Sequence, residues 1–148
     1  MTRAPDPYDL QRFVDAQEPV FPGVLVELRK GRKVGHWIWF IFPQIKGLGR
    51  SSSSEFFGIS SLAEARAYLQ HPVLGPRLIK CAELVNALES NDAEDIFGDI
   101  DAMKFRSSMT LFTHADPSNQ IFFAALGKYF AGQLDSLTTA HLQKGGEI

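Results

Sequence analysis

Residues 61–89 have the sequence SLAEARAYLQHPVLGPRLIKCAELVNALE, which contains the start and stop signals of two helices. Ser61 followed three residues later by Glu64 is the capping-box pattern of a helix start. His71-Pro72 predicts the end of that helix, because the residue before a proline disfavours the α conformation. The apolar positions between these signals have helical spacing: Leu62, Ala65, Tyr68 and Leu69.

The second helix of this stretch is predicted to start at Pro76 and to run to about Glu89. Its apolar face consists of Leu78, Cys81, Ala82, Leu84, Val85 and Leu88. Cys81 lies on this face, which predicts a buried structural thiol. As the single cysteine of the chain, it can form neither an internal disulfide nor a thiolate metal cluster.

Similar start and stop signals occur along the rest of the chain. Asp6-Pro7 and Asp116-Pro117 each place an N-cap residue before a proline, and Gly31 and Gly132 are suitable helix ends. The other predicted helices begin at Asp6, Pro22, Asn91, Asp99, Asp116 and Ser136. The chain is therefore predicted to be mainly α, a compact single-domain bundle of about eight helices. The domain spans residues 1–148, with an ordered core at about 6–143.

Residues 34–60 interrupt this helical pattern. Residues 37–42, WIWFIF, are apolar on every face, and periodicity alone leaves a buried strand and a buried helical turn both open. Residues 44–58, after Pro43, are rich in glycine and serine. This part is predicted to be an irregular aromatic/Gly/Ser-rich insertion.

Composition restricts the class of protein. The chain has 148 residues, 45% hydrophobic and 22% charged, which is typical of one globular domain. Its longest wholly apolar run has six residues, whereas a membrane-spanning helix needs about 20. The N-terminus has no apolar signal core. We therefore expect a soluble, cytoplasmic protein that makes no membrane contact.

Charge is unevenly distributed along the chain. Residues 28–54 contain six cations and no acid, and residues 83–101 contain seven acids and no cation. Such blocks either attract external ions or fold against each other, and the sequence leaves both open. The formal net charge of −2 argues against a general nucleic-acid binder, so no specific nucleic acid is predicted as a partner.

Candidate binding residues concentrate in and after the aromatic run. Glycine-rich backbone lets N–H groups approach an anion, hydroxyl and guanidinium groups add donors, and indole faces stack on planar rings. The pattern suits a phosphate-bearing, ring-containing ligand, although a buried aromatic plug followed by a surface loop explains it equally. The candidate ligand-binding residues are Trp37, Trp39, Gln44, Gly47, Gly49, Arg50, Ser51, Lys104 and Ser108.

The candidates for acid–base or nucleophile-activating roles are His36, Asp101 and Lys104. His36 can titrate near neutral pH, or it is a packed residue beside two tryptophans. Asp101, Lys104 and Ser108 are spaced so that a helix brings them to one face, where they form either a site or an ordinary ion pair with a small neighbour. The four histidines lack metal-ligand spacing, so neither a metal nor a cofactor is predicted.

Several motifs together resemble one protein family. They are HWIWFIFPQ at 36–44, GLGRS at 47–51, EARAYLQHPVLGPRL at 64–78, IFG at 96–98 and DAMKFRSSMTLF at 101–112. This pattern, over about residues 8–140, resembles the domain of unknown function 1810 family. The resemblance implies a compact, mainly α-helical fold. The family has no established reaction, so it assigns no catalytic residue.

A fainter similarity concerns the order of the motifs around residues 64–112. It resembles that of NADAR-type proteins, small helical proteins linked to ADP-ribose-type ligands and to N-glycosidic bond cleavage. This similarity implies a nucleotide-sugar pocket formed by Trp37, Trp39, Arg50, Asp101 and Lys104.

Two functions follow as alternatives. The first is binding of an anionic small molecule of nucleotide or ADP-ribose type, in a pocket of roughly 300–1,000 Å³ between the aromatic motif and the Asp101–Ser108 helix. The second is a non-catalytic protein-interaction module, in which the basic and acidic blocks form complementary surfaces for a partner or a second copy. Whether the protein is an enzyme and whether it forms a homo-oligomer are left open.

Overall fold

The computed structural model describes residues 5–148, which form nine helices and one isolated parallel β-bridge between Ile45 and Ile59. The helices are α1 Gln11–Gln17, α2 Phe21–Lys30, α3 Ile38–Ile41, α4 Ser52–Phe56, α5 Leu62–Gln70, α6 Leu74–Asn86, α7 Ala93–Ala115, α8 Ile121–Phe130 and α9 Ser136–Lys144. The predicted mainly α, multihelical fold is confirmed. There are nine helices among these residues because the insertion adds two short ones, α3 and α4, while the two helices predicted before and after Gly98 form one broken helix, α7. Residues 1–4 of the predicted domain lie outside the described part.

The capping signals of α5 form as predicted. The Ser61 hydroxyl accepts a hydrogen bond from the Glu64 amide at 3.1 Å, and the helix ends at Gln70, just before His71-Pro72. The start predicted for α6 at Pro76 is wrong, because the helix begins at Leu74. Proline is tolerated there because amides in the first helical turn have no intrahelical acceptor.

The end predicted for α6 at about Glu89 is also wrong, because the helix stops at Asn86. The Lys128 ammonium on α8 donates to the Asn86 carbonyl at 2.8 Å and also to the Leu88 carbonyl. The Tyr129 hydroxyl donates to the Val85 carbonyl. Lys128 and Tyr129 of α8 thus donate hydrogen bonds to the carbonyl groups at the end of α6. These carbonyl groups therefore need no further helical turn to supply their donors.

The helix starts predicted at the two Asp-Pro pairs are wrong by a few residues. Helix α1 begins at Gln11, and the Asp6 carboxylate accepts from the amides at its start at 2.8 and 3.0 Å. Asp9, predicted in the first turn, precedes the helix with a φ of 51°. At the second site the chain makes a turn, and Asn119 accepts from the amide of Ile121, the first residue of α8. Each aspartate-proline pair therefore initiates a turn that leads into the helix.

Helix α7 contains the break predicted near Gly98. Its backbone at Gly98 has φ 80° and ψ 167°, a conformation that glycine adopts readily, so α7 consists of two helical halves. Asp92 caps the first half by accepting from the Glu94 amide at 2.9 Å, where the sequence had suggested Asn91.

The aromatic insertion packs onto α7 at the centre of the core. The Phe42 ring lies edge-on to Phe105 with centroids 4.9 Å apart, and Phe97 stacks on Phe105 at 4.7 Å. The ambiguous run at 37–42 is thus the short helix α3 rather than a strand. Trp37 directly precedes α3 and Trp39 lies within it, so this packing also positions the two tryptophans.

Two further predictions concern Cys81 and the membrane. Cys81 is buried on α6, and desolvation raises the pKa of its thiol to about 12, so the predicted structural role is confirmed. Within residues 5–148, no helix has the length and apolar character needed to cross a membrane.

Arg12 fastens the end of the insertion to α1 and α5. Its guanidinium donates to the Phe56 carbonyl at 2.9 Å, to the Gly58 carbonyl at 3.1 Å and to the Glu64 carboxylate at 2.8 Å. Glu64 is only 3% exposed, and its other oxygen accepts from the amide and hydroxyl of Ser60. The ion pair is therefore desolvated and fully hydrogen-bonded on the carboxylate side.

We expect Glu64→Ala to lower the free energy of unfolding by about 3–5 kcal/mol, because it leaves the Arg12 guanidinium nearly buried without its counterion. Urea denaturation measures this loss. Glu83→Ala on the exposed face of α6 is the matched control and should change stability by less than about 0.5 kcal/mol. Equal effects of the two substitutions would contradict the role of the Arg12–Glu64 pair.

Candidate functional site

Trp37 is part of the core. It is 3% exposed, and its indole N–H donates to the Glu27 carboxylate at 3.1 Å. The same Glu27 oxygen accepts from the backbone amides of Val34 and Gly35. A Cβ added to Gly35 would lie 2.9 Å from the Trp37 ring, so only glycine fits there. Glu27 thus closes the loop before α3 and fixes the Trp37 ring.

Lys33 joins this loop to the start of the second half of α7. Its ammonium lies 5.0 Å from the centroid of the Trp37 ring, contacts the Gly35 carbonyl and forms a 2.7 Å ion pair with Asp101. Its side chain is only 6% exposed. Lys33 belongs to the basic block and Asp101 to the acidic block, so the two blocks fold against each other at this pair.

Lys104 lies on the other side of the same carboxylate. Its ammonium is 4.9 Å from the centroid of the Trp39 ring and 3.8 Å from the second oxygen of Asp101. The side chain is 23% exposed. Asp101 is therefore placed between two lysines, each of which lies over a tryptophan ring.

Two buried polar atoms at this place have no hydrogen-bond partner among residues 5–148. They are the indole nitrogen of Trp39 and the hydroxyl oxygen of Ser108, two of three such atoms. Ser108 is fully buried and lies one helical turn after Lys104, on the same face of α7. An unpaired buried donor is costly, so each such group requires an explanation. We call Lys33, Trp39, Asp101, Lys104 and Ser108 the Lys104 cluster.

The glycines of the 47–51 loop are required by the local packing. Gly47 has φ 102°, and a Cβ added there would lie 3.3 Å from the His141 ring on α9. A Cβ on Gly49 would lie 2.4 Å from the Ser54 hydroxyl, which is shorter than a van der Waals contact. These positions hold the loop close to α4 and α9.

The remaining predicted site residues lie apart from the Lys104 cluster or serve the loop itself. The Ser51 hydroxyl caps α4 by accepting from the Ser54 amide at 3.1 Å. Gln44 is nearly buried beside Gly49. His36 and Arg50 are exposed. The structure therefore brings together Trp39, Asp101 and Lys104, with Ser108 one helical turn further along α7, while Trp37 contacts Lys33.

Five surface cavities formed by residues 5–148 lie elsewhere, and Lys33 is the one member of the Lys104 cluster that lines any of these five. Two of about 470 and 660 Å³ lie near the start of α1, beside Tyr8 and Arg12 respectively. A polar cavity of about 560 Å³ lies between Arg32 and the Gly98 break of α7 and is also lined by Lys33. This last cavity adjoins the Lys104 cluster at Lys33.

Sequence reasoning missed the individual roles of Glu27 and Lys33. Lys33 was only one of the six cations of the basic block, and Glu27 was not singled out. The local signal was the glycine at 35, which permits a tight loop that returns both backbone amides to Glu27.

With this geometry in view, comparison with known families is informative. The family model described as a protein of unknown function, DUF1810, matches residues 7–142. The chain belongs to the DUF1810 family. It is similar to the conserved hypothetical protein Rv1873 from Mycobacterium tuberculosis, known from a crystal structure, with 55% identity and a TM-score of 0.92. That similarity covers 93% of this chain and 99% of the other. The search of curated proteins found no match. The DUF1810 fold is thus shared, and both descriptions leave its activity open.

The Glu27 contacts make stability depend on pH. Burial raises the pKa of Glu27, but the amides of Gly35 and Val34, the Trp37 indole and the charge of Lys33 together outweigh burial and lower the pKa below its usual 4.5. A carboxylate with a lowered pKa stabilises the fold above pH 4.5, and this contribution is lost as the pH falls below that value.

We expect Glu27→Gln to lower the melting temperature at pH 7, with the difference from the wild type shrinking as the pH falls from 5 to 3. Thermal unfolding followed by tryptophan fluorescence measures both proteins at each pH. Glu83→Gln, on the exposed face of α6, should show no such trend. A Glu27→Gln difference that stays constant across this range would contradict the assignment.

Proposed function

We propose that this chain binds an anionic small molecule of nucleotide or ADP-ribose type, with an oxyanion of the ligand at the Lys104 cluster. The observation that carries the proposal is the state of the Lys104 ammonium. It lies over the ring of Trp39, whose buried indole nitrogen has no partner among residues 5–148, and the carboxylate of Asp101 beside it is already paired with Lys33.

The two ion pairs of Asp101 are unequal. Lys33 lies 2.7 Å from the carboxylate and Lys104 lies 3.8 Å from it. Lys33 therefore neutralises most of the Asp101 charge, and Lys104 keeps its positive charge and free N–H donors. Two lysines and one aspartate leave one net positive charge, which favours an anion.

The unpartnered atoms supply the remaining donors. The Trp39 indole N–H and the Ser108 hydroxyl are both buried without acceptors among residues 5–148. An oxyanion that accepts from both atoms removes the cost of leaving them unpaired, and hydrogen bonds to a charged acceptor are the stronger kind. Because the Lys104 ammonium covers one face of Trp39, the indole acts here as a donor more than as a stacking surface.

Lys104 also provides the entrance in this proposal. The Lys104 side chain is 23% exposed, whereas Ser108, one helical turn further along α7, is fully buried. A lysine side chain changes rotamer rapidly, so its movement admits a ligand without a rearrangement of helices. We assign no bond-breaking step.

We expect ADP-ribose or AMP, at millimolar concentration, to raise the melting temperature of the full chain, with affinity measured by titration calorimetry. Lys104→Ala should weaken binding at least about tenfold, because a charge-assisted hydrogen bond is lost. Ser108→Ala should also weaken binding while leaving stability unchanged or raised, since it removes an unpaired buried hydroxyl.

Two controls separate the Lys104 cluster from other cations. Lys80→Ala removes an exposed charge on α6 and should leave affinity unchanged. Arg50→Ala tests the loop, and a loss equal to that of Lys104→Ala would place the anion there instead. Absence of any thermal shift with either ligand, or a Ser108→Ala variant that binds normally, would contradict the proposal.

A second proposal is carried by exposed apolar side chains. Ile100 and Met103 on α7 and Leu137 on α9 are 66%, 70% and 66% exposed. Ile100 and Met103 are three residues apart and therefore neighbours on one face of α7, and exposed apolar residues that lie next to each other are typical of interaction surfaces. This favours the protein-interaction alternative, with a second copy as its simplest partner.

If that alternative holds, sedimentation equilibrium should show concentration-dependent self-association that Met103→Asp abolishes. Val26→Asp, at an exposed apolar position on α2, is the matched control. A monomer at every concentration and at both low and high salt would exclude self-association through this surface.

A further inference from the structure

We infer that Asp101 sets the ligand charge that the Lys104 cluster prefers, and that the preferred head group carries one negative charge. Such a head group is a phosphate bonded to carbon or phosphorus through two of its oxygens, as in a phosphodiester or a bridged diphosphate. A terminal phosphate monoester, with two charges, is disfavoured. This inference rests on the proposed function.

The charge count follows from the distances around one carboxylate. Asp101 presents one oxygen to Lys33 at 2.7 Å and the other to Lys104 at 3.8 Å. Lys33 is nearly buried and has further contacts with the Gly35 carbonyl and the Trp37 ring, so it is fixed beside the carboxylate. The net charge that remains available to a ligand is a single positive charge, at Lys104.

Burial makes the match of charges important. The desolvation cost of an ion grows with the square of its charge, whereas its attraction to a fixed cation grows only in proportion to that charge. A head group that reaches the fully buried Ser108 must lose most of its water. One negative charge is then compensated by Lys104, while a second would remain uncompensated in a desolvated place.

The Asp101 carboxylate also repels a second negative charge on the ligand. Its carboxylate lies within 3.8 Å of the Lys104 ammonium, so an anion bound to that ammonium is close to another anion. In addition, the donors here are few: the Trp39 indole, the Ser108 hydroxyl and the Lys104 ammonium. A terminal phosphate has three non-bridging oxygens that need hydrogen-bond donors, whereas a diester phosphate has two.

The test compares two ligands that differ by one methyl group. AMP and its phosphate methyl ester have the same base and ribose, but at pH 8 AMP carries two charges, since its second pKa is about 6. We expect calorimetry on the wild-type chain to show tighter binding of the methyl ester. Lowering the pH from 8 to 6 should bring the affinity of AMP closer to that of the ester, because about half of the AMP is then a monoanion.

Two substitutions should shift this preference in opposite directions. Asp101→Asn raises the net charge to two and should move the ratio of dissociation constants toward AMP by about tenfold. Lys33→Met removes the net charge and should weaken both ligands, AMP more than the ester. Lys33→Arg keeps the charge and should keep the wild-type ratio. Melting temperatures verify that each variant is folded.

The outcomes separate this inference from the proposed function. Wild-type protein that binds neither of these two ligands overturns this inference, and if ADP-ribose also fails to bind, the proposed function is overturned as well. Wild-type protein that binds AMP more tightly than the ester, or whose preference is independent of pH, overturns the role of Asp101 alone. Asp101→Asn and Lys33→Met variants that weaken both ligands equally also overturn it, because that result indicates a purely structural ion pair.

Discussion

The edge-on contact between Phe42 and Phe105, with ring centroids 4.9 Å apart, fixes the aromatic insertion on α7. Both rings are fully buried, and Phe97 stacks on Phe105 from the other half of the broken helix. This packing determines where the two tryptophans lie, because α3 is too short to be stable by itself. The position of every charged group in the Lys104 cluster depends on it.

The buried charge of Lys33 is the second constraint. A lysine that is 6% exposed requires an anion and polar partners, which here are Asp101 and the Gly35 carbonyl. Asp101 is thereby committed to Lys33, and Lys104 is left as the cation with unused donors. In the proposed function, the same ion pair with Lys33 also sets the charge that the Lys104 cluster offers to a ligand.

Local signals predicted most helices because their causes are local. The capping of α5 by Ser61, the end of α2 at Gly31 and the break at Gly98 each depend on side-chain or backbone preferences within a few residues. The errors arose where a distant group intervened or where a turn competed. Lys128 terminates α6 from α8, and Asp6 caps α1 across a turn that contains Asp9.

The sequence by itself determined the mainly α class, the positions of most helix boundaries and the family, since these depend on periodicity, capping residues and contiguous motifs. It also placed Asp101, Lys104 and Ser108 on one helical face. Only the tertiary structure decided that the Trp37 indole donates a hydrogen bond to Glu27, that the Trp39 ring contacts Lys104 and that Lys33 forms an ion pair with Asp101. Those contacts join residues far apart in the chain, so the packing of α3 and its preceding loop on α7 must exist before the charges can meet.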